Sequence, residues 1–157
     1  MTHILFVCHG NICRSPMAEF IMKALIRKAG YEKAITVDSV AATTEEIGND
    51  MYPPAKRMLT KKGIPFSPRH ARIITASDYA RADYILCMDE ENLTDLARLT
   101  CGDPEKKVSL LLSWAGRHAE VADPWYTGNF EETYEDILEG CEALLKSIRR
   151  QGVAGSW

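Results

Sequence analysis

Several classes of protein are excluded by what this 157-residue sequence lacks. No apolar run comes near the roughly 20 residues that cross a bilayer. The stretch Ile4-Leu5-Phe6-Val7 is too short for the apolar segment of a secretory signal. Positive charge is not in excess: 19 Lys and Arg stand against 22 Asp and Glu, a formal net charge of −3. That balance argues against a nucleic-acid partner, whose phosphates demand clustered Lys and Arg. Five cysteines (Cys8, Cys13, Cys87, Cys101 and Cys141) are odd in number, with no paired zinc spacing and no His cluster to complete a tetrahedral set. No repeat, low-complexity tract or linker interrupts the chain. The expectation is one domain over residues 1–157 in a reducing cytoplasm, ending in a loose tail from Gly152 to Trp157, with no metal and no membrane association.

What is present suits a packed globular domain, with 46% hydrophobic and 26% charged residues. Residues 3–8 read as a buried strand and 16–29 as a helix with Pro16 at its first position and Gly30 as its stop. Strands are also expected over 35–39, 83–88 and 108–112. Helices are expected over about 55–62, near 78–82, from an Asp89 cap to about Leu99, and from an Asn129 cap to the C-terminal region. Short apolar strands alternating with helices imply right-handed crossovers and a parallel sheet covered on both faces. Such sheets bind ligands beyond the carboxyl ends of their strands.

The first strand delivers Cys8-His9-Gly10-Asn11-Ile12-Cys13-Arg14-Ser15 straight into Pro16 and a helix. Amides of the turn and of the first helical turn point into such a loop, and the helix dipole favours negative charge there, so the loop forms a cradle for a tetrahedral oxyanion. The same field favours the thiolate of Cys8. Arg14 offers a planar fork that matches two phosphate oxygens. Gly10 allows close backbone approach or positive φ, and Asn11 suits the left-handed region. The plain alternative, a buried strand-end cysteine beside a solvated arginine, leaves Gly10, Asn11 and Ser15 unexplained together.

Cys-x5-Arg-Ser resembles the phosphate loop of protein tyrosine phosphatases, and its position in Val7-Cys8-x-Gly10-Asn11-Ile12-Cys13-Arg14-Ser15-Pro16 resembles the low-molecular-weight family of bacterial type. Val37-Asp38-Ser39, Ala55 to Ile64, Tyr84 to Asp89 and Asp123-Pro124-Trp125-Tyr126 extend the likeness over nearly the whole chain. The resemblance implies an α/β three-layer sandwich, a four-stranded parallel sheet flanked by helices of the flavodoxin-like kind. It implies a hydrolase that removes phosphate from phosphotyrosine proteins, and from small aryl phosphates, through a phosphocysteine intermediate and without a cofactor; a monomer is expected. Cys8, Arg14 and Asp123 are then catalytic: nucleophile, phosphate clamp, and general acid and base. His9, Gly10, Asn11, Ile12, Cys13, Ser15, Trp125 and Tyr126 are then substrate-binding. Asp-Pro alone is usually a turn; the loop and the following aromatic pair give Asp123 its catalytic reading.

Other residues keep two readings. Ser15 reads as a plain helix cap, as a hydroxyl donor to the sulfur of Cys8, or as both. Ser39 belongs by resemblance to the loop's polar support, or is merely a strand-end turn residue. Cys13 is inert packing, or, in the family pattern, the thiol that traps an oxidised, exposed Cys8 as a disulfide. Cys87 and Cys141 read as core, and Cys101 as a loop residue. Glu45 falls where the family commonly carries an aromatic wall, and His9 where it often carries Leu, so the slot keeps Trp125 and Tyr126 but loses its other ring. The family's supporting His aligns with either Arg69 or His70; His70 is read as a residue supporting the loop from behind, or as an exposed loop His. An arsenate reductase would need two further relayed cysteines. A phosphocarrier would lack the acid Asp123, and a sequestering pseudoenzyme would not keep Cys8, Arg14 and Asp123 together.

Overall fold

The computed structural model describes residues 1–152. In chain order they form β1 (Thr2–Cys8), α1 (Arg14–Ala29), β2 (Ile35–Ala41), α2 (Pro53–Lys61), α3 (Ala76–Arg81), β3 (Tyr84–Cys87), α4 (Glu90–Leu99), β4 (Val108–Leu110), a 3₁₀ turn (Leu111–Ala115), α5 (Pro124–Thr127) and α6 (Phe130–Gln151). The four strands make one parallel sheet in the order β2-β1-β3-β4. β1 is buried along nearly its whole length because both sheet faces are covered. Ile4, Phe6 and Cys8 face the larger core beneath α1 and α6, while Leu5 and Val7 face a smaller one with Ile85, Cys87 and Leu96.

After β1 the chain crosses to β2 on one side, then returns to β3 on the other. The crevice between the carboxyl ends of β1 and β3 is therefore the switch point at which such sheets bind ligands. Cys8 ends β1 at that crevice.

Local signals account for most boundaries. Gly30 closes α1 at φ 81°, Asp89 caps α4 with a reciprocal box to Asn92, and Asn129 caps α6 by accepting from the Glu132 amide. Three expectations need correction. Pro16 is the third residue of α1, not the first; its missing N–H costs nothing there, since the first four amides of a helix have no intrahelical acceptor. β4 stops at Leu110, and Leu111 and Leu112 turn into a 3₁₀ segment that buries both side chains, because a short apolar run suits a packed turn as well as a strand. α5, a single turn, was not foreseen. Of the expected tail, Gly152 is the cap of α6, and residues 153–157 lie outside the described part.

Candidate active site

The loop between β1 and α1 turns through Asn11 at φ 59°, a left-handed conformation that Asn tolerates. Gly10 has no positive φ; what it supplies is space, since a Cβ there would stand 3.1 Å from Cγ of Glu46. Cys8 Sγ accepts from the Ser15 amide at 3.4 Å and lies 3.1 Å from the Ser15 hydroxyl. The capping reading of Ser15 is thereby overturned. Cys13 holds the cap position without a side-chain bond, and the Ser15 hydroxyl is turned to the sulfur and to Val40 O, 3.4 Å away.

Beneath the loop runs a buried polar chain. Asn11 Nδ2 donates to Ser15 Oγ at 2.8 Å and Ser39 Oγ at 3.1 Å, and the Ser39 hydroxyl donates to Glu19 Oε1 at 2.6 Å. Lys23 occupies the other Glu19 oxygen at 2.6 Å, and Arg69 donates to Asn11 Oδ1. Asn11 and Ser15 are wholly buried, where paired hydrogen bonds are strengthened by the low local dielectric.

Arg14 opens α1 and is 2% exposed. Its Nη1 donates to Asp89 Oδ2 at 2.7 Å and to the Val121 carbonyl at 2.9 Å; Nη2 reaches Asp123 Oδ2 at 3.5 Å. Burial opposes the charge, but Cys8, Asp89 and Asp123 outweigh it and raise the Arg14 pKa. Asp89 does two jobs: Oδ1 accepts the Asn92 amide at 2.8 Å while Oδ2 anchors the guanidinium. Asp123 is itself a cap, its Oδ1 accepting the Trp125 amide at 3.0 Å at the start of α5. Pro124 biases Asp123 towards extended backbone, and the residue has φ −77° and ψ 112°.

A cleft of about 260 Å³ opens over Cys8, Ile12, Cys13 and Arg14. Asp123, Trp125 and Tyr126 line it from the start of α5, and Glu45 and Glu46 from the segment after β2, together with His9 and Gly10. Small-molecule pockets usually begin near ~300 Å³; this cleft suits a side chain.

Residues 3–154 match the family described as low molecular weight phosphotyrosine protein phosphatase. The chain is 40% identical to the low molecular weight protein-tyrosine-phosphatase YfkJ of Bacillus subtilis over 96% of its own length and 98% of that protein. The crystal structure of YfkJ superposes with a TM-score of 0.92 over 96% of each chain. The Homo sapiens low molecular weight phosphotyrosine protein phosphatase is 40% identical over 91% of this chain and 93% of the relative. A Drosophila structure named as an arginine phosphatase is also similar, at 34% identity and a TM-score of 0.85 over 94% of this chain and 97% of that one. The chain belongs to the low molecular weight phosphotyrosine protein phosphatase family. That family hydrolyses phosphotyrosine, and this chain is a phosphatase of that class.

Of the residues expected to bind substrate in this phosphatase, His9, Gly10, Ile12, Cys13, Trp125 and Tyr126 line the cleft. Asn11 and Ser15 do not; their side chains brace the loop from beneath. Arg69 holds Asn11, whereas His70 sits against the Gly48 carbonyl at 3.0 Å, which resolves the ambiguity between the two. Glu45 does lie on the cleft, with its carboxylate 2.5 Å from His9 Nε2. Trp125 packs at a tilt of 49° against Tyr52, centroids 4.7 Å apart, and Tyr52 stacks on Phe130 at 6.1 Å. Cys8 is 3% exposed, so it is not the exposed thiol expected; it lies at the bottom of the cleft. Burial and the nearby Cys8 push the Cys13 thiol up. Cys87 and Cys141 are fully buried and Cys101 is exposed. Sequence reasoning missed Asp89 as an anchor, the Val121 carbonyl, Glu19 and Glu46. Only Asp89 carried a signal, as a helix cap.

Proposed function

We propose that the protein hydrolyses phosphotyrosine in proteins, and small aryl phosphates, through a phosphocysteine intermediate formed on Cys8. The observation that carries this reading is the convergence on Cys8 Sγ of the Ser15 amide and hydroxyl, with the anchored Arg14 and Asp123 in the same cleft. The Cys8 thiolate attacks phosphorus while Arg14 and the loop amides hold the equatorial oxygens, where charge builds in the transition state. The bond from phosphorus to the aryl oxygen breaks, and protonated Asp123 gives its proton to that oxygen. Ionised Asp123 then takes a proton from water as the water attacks phosphorus. The P–S bond breaks, inorganic phosphate leaves, and the Ser15 hydroxyl steadies the departing thiolate.

The phenyl ring of phosphotyrosine lies among Ile12, Trp125 and Tyr126 in this reading, with Tyr52 behind Trp125. No metal takes part in the chemistry. Cys13, which shares the cleft floor with Cys8, is the thiol that would condense with a Cys8 sulfenic acid and release water. Cys87 ends β3 fully buried, out of reach of the solvent-exposed relay that an arsenate reductase needs. No described helix is long and apolar enough to cross a membrane. Five unpaired cysteines support a reducing cytoplasm as the working compartment.

The test is turnover of a phosphotyrosine peptide, a phosphoarginine peptide and a small aryl phosphate, each with chelator present, with acid quench to trap the phosphoenzyme. Expected are metal-independent hydrolysis of both aryl substrates and a label on Cys8. Preference for phosphoarginine, or turnover without a labelled cysteine, would refute the reading.

A further inference from the structure

On the rim of the cleft the imidazole of His9 lies between two carboxylates. Nε2 is 2.5 Å from Glu45 Oε2; on the other side of the ring, buried Nδ1 has no hydrogen-bond partner among the described residues and faces Glu91 Oε1 at 3.5 Å. The short contact to Glu45 places the ring proton on Nε2 and leaves Nδ1 a lone pair directed at an anionic oxygen. A lone pair facing an anionic oxygen at this distance is steadied by positive charge placed between the two atoms, which a metal ion would supply. Asp95 adds a third donor. It lies one turn along α4 from Glu91, on the same helix face, and one ligand atom from each of His9, Glu91 and Asp95 falls within 4.8 Å of the others. The Glu91 side chain is 70% exposed and that of His9 35%, so the cluster is open to an ion from solvent. Arg98 approaches Asp95 only to 3.8 Å.

We propose that His9 Nδ1, Glu91 and Asp95 bind a divalent transition-metal ion at the cleft rim, with Glu45 orienting the imidazole from behind. A carboxylate on the far nitrogen of a ligating histidine is the usual outer partner of such sites. One imidazole with two carboxylates suits Zn²⁺, Mn²⁺ or Co²⁺ rather than Mg²⁺ or Ca²⁺, which prefer all-oxygen sets. The ion takes no part in phosphoryl transfer. It replaces negative potential at the rim with positive, and so assists capture of a dianionic substrate; this second element rests on the proposed phosphatase mechanism.

Zn²⁺ binding to Cys8→Ser protein, followed by calorimetry, tests the site without the competing thiolate and without reference to turnover. Expected is one equivalent, bound at least tenfold more weakly after His9→Ala or after Glu91→Gln with Asp95→Asn, and about tenfold more weakly after Glu45→Gln. Binding unchanged by His9→Ala would place the ion elsewhere and overturn the proposal. So would no binding at millimolar Zn²⁺, which would assign a proton to Nδ1. In active protein, Mn²⁺ should lower KM for a small aryl phosphate severalfold with kcat unchanged, and not in Glu91→Gln/Asp95→Asn; a KM indifferent to bound Mn²⁺ would overturn the electrostatic role.

Discussion

The floor and the rim of the cleft are built on opposite principles. On the floor, Asn11, Arg14 and Ser15 are at most 2% exposed, and their side chains are held by bonds to Ser39, Asp89, Val121 and Cys8. On the rim, Trp125 and Tyr126 are 53% and 85% exposed, Glu45 is open to solvent, and His9 keeps a buried nitrogen with no hydrogen-bond partner among the described residues. Paired buried dipoles give a site that need not reorganise as charge develops, which is what phosphoryl transfer asks of a protein. Exposed side chains on separate segments adjust to what arrives, and change with little cost to the fold. In the proposed mechanism, chemistry therefore resides in the floor and selectivity in the rim.

The sharpest break is at the floor. Cys8→Ser should abolish steady turnover while vanadate binding stays measurable. Arg14→Lys should be nearly as damaging, since a point charge does not span two oxygens. Appreciable residual turnover in either, measured with a small aryl phosphate, would contradict the division. Asp123→Asn should lower kcat by about 10²–10⁴ for poor leaving groups, with the loss shrinking as the phenol becomes more acidic. A plot of log kcat against leaving-group pKa reads this directly, and a uniform loss would mark Asp123 as structural only.

Asp89 tests how far the floor extends. Asp89→Asn keeps an acceptor for the cap of α4 but removes the charge that anchors Arg14. The expected cost is about ten- to a hundredfold in kcat/KM, from 1.5–3 kcal/mol for a charged hydrogen bond. A loss of stability with unchanged kcat/KM would instead make the residue a cap alone.

Effects at the rim should be smaller and of either sign. Glu45→Trp should raise kcat/KM for phosphotyrosine peptides about three- to tenfold, from 0.5–1.5 kcal/mol of ring stacking and the loss of a charge that repels the dianion. Peptides with a basic neighbour should gain least, and no change for any peptide would place Glu45 outside the slot. Smallest in its effect on turnover should be Gly140→Ala in α6. A Cβ there would stand 2.5 Å from Cγ of Leu111, so about 1–3 kcal/mol of stability should be lost in urea unfolding with kcat unchanged. No loss of stability would mean that Leu111 moves aside freely.

The floor was legible in the sequence because it is contiguous. Cys8 to Pro16 runs as strand end, turn and first helical turn, and backbone geometry alone brings the amides, the sulfur and the guanidinium to one place. The same locality made Gly30, Asp89 and Asn129 readable as helix ends. The parallel order of strands followed from their alternation with helices. Tertiary structure decided whatever depends on segments remote in the chain. It chose Asp89 and Val121 as partners for Arg14, Arg69 rather than His70 for Asn11, and the hydroxyl of Ser15 for sulfur rather than for a cap. It also brought His9 to Glu91 and Asp95, and required glycine at position 140 because the turn holding Leu111 passes that face of α6. A residue's covalent neighbours and backbone preferences act over one or two turns, but which side chains meet across a core depends on how the layers pack, and that choice is made only when the whole sheet and its helices close together.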